Sequence, residues 1–473
     1  MVRRISETEL AYASISELGP RLASGELSPV ELTDAILARI GRYNATLNAY
    51  ITVTEESARD AAHAAASAIR AGNYLGPLHG IPIAIKDLFA TRDVRTTFGS
   101  QVYADWVPDY DAAAVERLRN AGAILIGKTN MHELAYGTTS ANAHYGPVRN
   151  PWNVACHPGG SSGGSAVAVA AGLACAALGS DTGASVRQPA ACCGIVGLKP
   201  TFGLISKFGA LPLAWSMDHV GPMARTVRDC ALLLQALVGY DRRDPGCVRR
   251  RVPDFRAALA NDIRGCRIGV AHNYFFEDCE PDVAAAVEES LRILRDLGAS
   301  VEEIVLPDMR AALAAGALVI AVEAASYHAA DLRERPQAFS KELQATLELG
   351  SYYSGVQYVQ AQRLRRELSA QLQQAMRGFD ALAMPTSPVP ATEIGNDPPG
   401  HTALRSRNTL PLNFISLPAI SVPCGFTKSG LPIGLQLVGQ PFAEARVLQL
   451  AHAYEQANAG SSRHPDLERI TSC

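Results

Sequence analysis

The chain predicts an α/β fold on three observations. Amphipathic helices alternate with short apolar strands from residue 28 onward, glycine-bearing turns punctuate the alternation, and two apolar runs near the C-terminus read as strands returning to the same sheet.

Ser28-Pro-Val-Glu31 has the form of a capping box with proline at the first helical position, and it starts an amphipathic helix running to about Ile40. An alanine-rich helix over 54–72 stops at Gly72, and Gly80-Ile-Pro-Ile-Ala-Ile85 is then a short apolar strand that ends at Lys86-Asp87. The rhythm repeats with a helix over 112–120, a strand over 123–126 and a helix near 131–136. A polar, glycine-rich stretch over 157–165 follows. Residues 166–171 read as helix and 174–178 as a buried strand, before a second stretch of small residues over 179–185. Residues 230–370 read as mostly helical, the proline-rich 384–411 as a long surface loop, and 417–423 and 433–438 as the returning strands.

Composition narrows the function classes. With 48% hydrophobic and 19% charged residues and a net charge of -3, the chain is of ordinary globular type, with no basic field to gather a polyanion. Nucleic acid is not expected as a direct partner. Arg3-Arg4 is followed by acidic and polar residues rather than the apolar run of an export signal, and the apolar stretches 166–178 and 311–322 are short for a bilayer core of roughly 30 Å. No membrane partner is expected. The ten cysteines, from Cys156 to Cys473, form no C-x-x-C pair, and the vicinal Cys192-Cys193 sit among small apolar residues. They read as buried hydrophobes in a reducing cytoplasm. The eleven histidines show no H-x-x-x-H or H-E-x-x-H pattern, so neither metal nor cofactor is expected.

Chemistry is sought in the two glycine-bearing turns. Gly159-Gly-Ser-Ser-Gly-Gly164 lacks the Lys-Ser/Thr pair of a phosphate-binding loop. It matches G-x-S-x-G with Ser161 or Ser162 at the centre, but Cys156-His-Pro158 is a poor end for the strand that a nucleophile elbow requires. A lone serine in such a turn is more often solvent-facing than reactive, and a lone Lys86 more often a strand terminus paired with Asp87. Their company matters: Ser185 lies in the second turn, Gly179-Ser-Asp-Thr-Gly-Ala-Ser-Val-Arg187, and Lys86 closes an apolar strand.

These three motifs in this order, and the spacings between Lys86, Ser161 and Ser185, resemble the amidase signature family. Its strand-ending lysine, G-G-S-S-G-G turn and D-x-G-G-S-x-R-x-P segment are met by Lys86, Gly159–Gly164 and Asp181–Pro189, and Cys193-Gly-Ile-Val-Gly-Leu-Lys-Pro-Thr201 is similar too. The likeness runs from about residue 10 to 455. It implies a mixed central β-sheet covered on both sides by helices, in one domain over 1–473. Within it lie N-terminal helices over 8–72, a catalytic core over 73–228 and 411–455, a mostly helical insert over 230–370 and the proline-rich loop over 384–411.

Carried over residue by residue, the resemblance implies Ser185 as nucleophile, Ser161 as a bridging serine held in a cis peptide bond, and Lys86 as base. A serine hydroxyl attacks poorly unless a base takes its proton, and lysine serves as base only when burial lowers its pKa. Ser161 both donates and accepts, which suits a relay. The backbone N–H groups of Thr182, Gly183, Ala184 and Ser185 are expected to form the oxyanion hole, while Ser162, Asp181 and Arg187 brace the site. Alanine at 184 departs from the family's glycine and would be strained there at positive φ. The segment 130–138 matches a pocket-lining element of the family, which places Ala135, Tyr136 and Gly137 at the substrate pocket, with Tyr136 facing the acyl or leaving group.

The resemblance leaves the substrate open. The glutaminase (A) subunit of transfer-RNA-dependent amidotransferases carries an arginine before a Leu-Gly step and an acidic residue before T-x-P-x-N. Loosely matched, this chain has Ala345 or Thr346 before Leu349-Gly350, and Ser406 before Thr409-Leu-Pro-Leu-Asn413. With both charged anchors missing, the expected activity is hydrolysis of small neutral aryl or alkyl amides, anilides or carbamates by a monomer or homodimer that needs only its amide substrate and water. The run Thr-Gly-Ala-Ser-Val-Arg, shared with indoleacetamide-type amidases, favours aryl substrates. The alternatives are the glutaminase component of an amidotransferase, a carboxybiuret-type amidohydrolase and a catalytically idle structural subunit.

Overall fold

A computed structural model describes residues 6–396, 398, 400–458 and 463–470; the N-terminal segment through Ile5 and Cys473 lie outside the described residues. Eleven strands form one mixed sheet: β1 (Tyr50–Val53), β2 (Pro82–Lys86), β3 (Ile124–Thr129), β4 (Ala176–Asp181), β5 (Val196–Lys199), β6 (His219–Ala224), β7 (Arg267–Val270), β8 (Ser300–Glu303), β9 (Ala381–Pro385), β10 (Ala419–Phe426) and β11 (Pro432–Val438). Their order across the sheet is β1-β3-β2-β4-β6-β5-β10-β11-β9-β7-β8. Every residue of β2, β3, β4, β5 and β6 is buried, so helices cover both faces of the centre, which suits continuous apolar runs rather than alternation.

Local chemistry sets the helices. The helix Pro29–Leu47 is capped by Ser28, whose hydroxyl accepts from the Val30 amide at 3.2 Å rather than closing the expected box with Glu31. It passes Ile40 because Arg39, Ile40, Tyr43 and Leu47 continue the buried stripe, and it stops at Asn48 in the left-handed conformation.

Four expectations need correction. The span 131–136 is not a helix but a single 3₁₀ turn, Glu133–Ala135, with Leu134 and Ala135 at positive φ. The helix after the glycine-rich turn starts at Gly163, and the strand after it runs on to Asp181. The insert 230–370 is mostly helical but also holds β7 and β8, two strands the sequence reading leaves out. Strand β8 is a polar, partly exposed edge, so no apolar run betrays it. The proline-rich span is not a surface loop: it includes the end of β9 and the helix His401–Arg407, and Thr386, Arg405, Asn408 and Thr409 are buried. Buried polar partners, absent from any periodicity, hold it down: Asn408 Nδ2 donates to the carbonyls of Phe275 and Pro385.

Of the nine described cysteines, all free, eight are buried and Cys279 is half-buried. The helix Met309–Glu334 carries the apolar stretch 311–322. It packs against the helices Lys341–Ser351, Gly355–Ala375 and Leu410–Phe414, above the carboxyl end of β4.

Candidate active site

Lys86 ends β2, which lies between the parallel strands β3 and β4, and its side chain is fully buried behind Ile83, Ala84 and Ile85. Its Nζ donates to Ser161 Oγ at 2.7 Å and to Ser180 Oγ at 2.8 Å. Burial pushes the amine down to about 7, against the opposing pull of the Asp181 and Asp218 carboxylates. The neighbouring Asp87 does not pair with it. Asp87 instead faces Lys128 at 3.2 Å and accepts from the Thr97 amide and hydroxyl.

The glycine-rich turn carries Ser161 to this amine. A cis peptide bond joins Gly160 to Ser161, the Gly160 amide is held by Gln188 Oε1 at 2.9 Å, and the Ser161 carbonyl accepts from the His132 amide and the Ser140 hydroxyl. Ser162 is fully committed: its hydroxyl donates to the Ser180 carbonyl and accepts from the Ser180 amide, while its own amide donates to the Ser185 carbonyl at 3.2 Å. The following glycines are required by crowding. A Cβ on Gly164 would fall 2.3 Å from the Asn130 carbonyl oxygen.

The second turn begins where β4 ends. Asp181 accepts from the amides of Val186 and Arg187 and meets the Arg187 guanidinium through two bonds of 3.0 Å, both side chains being fully buried. Asn413 donates to the Asp181 carboxylate and carbonyl, and Gln436 accepts from Arg187. Burial alone would raise the Asp181 carboxyl, but Arg187 holds it well below the usual carboxylate range. Between these anchors, the amides of Thr182, Gly183, Ala184 and Ser185 have no protein acceptor among the described residues. Ala184 is not at positive φ, so its replacement of glycine brings no backbone strain.

A cavity of about 760 Å³ opens on this turn. Ser185 lines it, whereas Ser161 and Ser162 are sealed from solvent. The Ser185 hydroxyl has no hydrogen-bond partner among the described residues, and its tie to the first turn runs through its carbonyl. Ala135, Tyr136 and Gly137 line the same cavity, and burial pushes the Tyr136 hydroxyl up to about 12. Apolar walls come from Leu213, Leu313, Ala317, Ile320, Leu343 and Leu410, and Thr346 and Ser406 also face the space.

Two neighbours escape sequence reasoning: Ser180, the second partner of Lys86, and Asp218, which accepts from the Thr182 hydroxyl at 2.6 Å. Of the two, only Ser180 carries a signal, its place one residue before Asp181. His132, inside the segment 130–138 matched to the pocket-lining element, also lines the cavity, its imidazole pushed down to about 4 by burial.

Comparison with known proteins gives the family. Residues 31–448 match the family model described as Amidase. The A subunit of the glutamyl-tRNA(Gln) amidotransferase of Roseiflexus sp. (strain RS-1) is 45% identical, over 97% of this chain and 99% of that protein. A chain of a solved structure described as an unexpected vestigial protein complex that reveals the evolutionary origins of an s-triazine catabolic enzyme is 36% identical over 94% of this chain and 98% of its own, with a TM-score of 0.89. A bacterial aryl acylamidase of the amidase signature enzymes is 28% identical with a TM-score of 0.87, over 94% of this chain and 96% of its own. A family match across most of the chain and relatives aligned end to end lead to one assignment: the chain belongs to the amidase signature family.

Proposed function

We propose that this amidase-family hydrolase cleaves the C–N bond of small neutral amides, aryl and alkyl amides or anilides and carbamates, through an acyl-enzyme on Ser185. The Ser185 oxygen attacks the carbonyl carbon while its proton passes to Ser161 and the Ser161 proton to Lys86. The C–N bond then breaks, and the same proton returns along that route to the leaving nitrogen. Water attacks the ester, gives its proton to Lys86 through Ser161, and releases the acid as Ser185 regains a proton. The observation that carries this reading is the run of four unengaged amides, 182–185, at the hydroxyl that opens on the cavity. Donors preset for a developing oxyanion are typically worth roughly 10²–10³ in rate each.

Thr346 and Ser406 support the neutral substrate. Both face the cavity without charge at the positions matched to the glutaminase anchors. Of the charged residues that also line it, Arg310 is paired with Glu277 and Glu133 accepts from Ser100 and Ser340, while Lys341 and Glu342 stand at one helix start. A second reading, the glutaminase component of an amidotransferase, is favoured by the 45% identity to the Roseiflexus protein. That identity extends over the sheet and turns as well as the cavity, whereas substrate choice rests on few residues.

The test is turnover by the purified chain of p-nitroanilides, primary amides, carbamates and glutamine, with fluorophosphonate labelling mapped by peptide mass. Labelling at Ser185 and turnover of neutral amides are expected. Glutamine turnover that appears only with partner subunits would establish the second reading, and absence of labelling would point to a catalytically idle chain.

A further inference from the structure

On the far side of the second turn lies another cavity, of about 490 Å³, lined by Ser180, Asp218, His219, Phe202 and Trp215 among others. Thr182 faces the substrate cavity and Asp218 faces this one, so their contact forms part of the wall between the two. The Asp218 carboxylate gathers three donors there. Its Oδ1 accepts from Thr182 Oγ1 at 2.6 Å and from the Ala214 amide at 3.1 Å, and its Oδ2 accepts from the Leu213 amide at 3.0 Å. Leu213 is itself a wall of the substrate cavity. Strand pairing fixes the arrangement, because Asp181 lies opposite His219 in the β4–β6 ladder and Thr182 and Asp218 are the residues just beyond that pair.

The turn is thus clamped from two sides. The Asp181 carboxylate ties the turn to its far end at Val186 and Arg187, and Asn413 and His219 meet the Asp181 carbonyl at its start. One residue further on the Thr182 hydroxyl donates to Asp218, the side-chain bond nearest the unengaged amides. From this geometry we infer that Asp218 is a positioning residue for amide hydrolysis: through the Thr182 hydroxyl it fixes the amides of 182–185 where the oxyanion develops, without touching substrate. The inference rests on the proposed role of that turn. The physical case is that a carboxylate bonded to three donors is rigid, and that a displacement of about 1 Å at a reacting centre can cost on the order of 10²-fold in rate.

The experiment compares Asp218→Asn, Thr182→Val and Thr182→Ser with the unaltered chain, rates being normalised to fluorophosphonate-labelled sites. Asp218→Asn keeps the shape but turns an amide N–H toward backbone N–H donors, and Thr182→Val removes only the hydroxyl. Both are expected to lower kcat about tenfold to a hundredfold with KM changed less than about threefold. Thr182→Ser is expected to restore most of the rate. The double variant Asp218→Asn/Thr182→Val should lose clearly less than the product of the two single losses, since the Thr182–Asp218 contact is common to both. Unchanged kcat per labelled site in Thr182→Val, or additive losses in the double variant, would overturn the positioning role. Were Ser185→Ala to retain activity, the reading of the turn itself would fail; a wild-type rate in folded Asp218→Asn beside an inactive Ser185→Ala would sink the positioning role alone.

Discussion

The amine of Lys86 stands 2.7 Å from the hydroxyl of Ser161, sealed from solvent at the end of a strand whose own neighbours are apolar. The proposed role requires that amine unprotonated. Its pKa is lowered to about 7, so the neutral fraction falls as pH drops through that value. The expected kcat/KM profile therefore rises about tenfold per pH unit below roughly 7 and levels above it. Lys86→Arg stays protonated throughout and should lose about 10²–10⁴ in rate at every pH, measured with a p-nitroanilide.

Arg187 neutralises Asp181 where neither meets water. Arg187→Ala leaves a buried carboxylate unpaired and should cost about 3–5 kcal/mol in urea denaturation. Arg187→Lys should recover less than half of that, because an ammonium cannot bind both oxygens in the plane of the carboxylate. Recovery to within about 1 kcal/mol, on the order of one unpaired hydrogen bond, would count against the bidentate account.

Two glycines of the turns should respond differently to alanine. A Cβ at Gly164 meets the carbonyl oxygens of Asn130 and Ala49 at 2.3 and 2.5 Å, backbone that cannot step aside. Gly164→Ala is expected to destabilise by at least about 1–3 kcal/mol and to lose fluorophosphonate labelling. At Gly183 the nearest atoms are those of Leu410, at 3.4 Å. Gly183→Ala should keep stability within about 0.5 kcal/mol while raising KM, since the methyl narrows the cavity.

Thr346 and Ser406 face the same space without charge. Thr346→Arg with Ser406→Asp should slow turnover of apolar amides at least about tenfold, by burying unpaired charge where they bind, and should admit glutamine as a substrate. Unchanged selectivity in a p-nitroanilide and glutamine competition would remove these positions from the account of substrate choice.

What is legible in the amino-acid sequence follows the range of the interaction. Lys86, Ser161, Ser185 and the Asp181–Arg187 pair lie in compact motifs, and the structure brings Lys86 and Ser161 into contact and ties Ser185 to the same turn through Ser162. Asp218 and Asn413 reach the site through the pairing of β4 with β6 and through a buried segment whose composition reads as surface loop, contacts that no local pattern encodes. His132 lies in the segment matched to the pocket-lining element, but the turn that sets it there, with two residues at positive φ, falls in a span that reads as helix. Strands β7 and β8 leave little trace because short, half-exposed edge strands carry a weak apolar signal.

The adjacency of β2 and β4 at the centre of the sheet has one more consequence. Lys86 ends one of these parallel strands and the turn that carries Ser185 follows the other, whereas much of the chamber's lining hangs from the helices Met309–Glu334, Lys341–Ser351 and His401–Arg407. In the proposed mechanism, bond-breaking and most of recognition thus occupy separate stretches of polypeptide. Diversifying the helical stretches leaves the proton path untouched, so this scaffold is suited to acquiring new amide preferences by exchange of its roof.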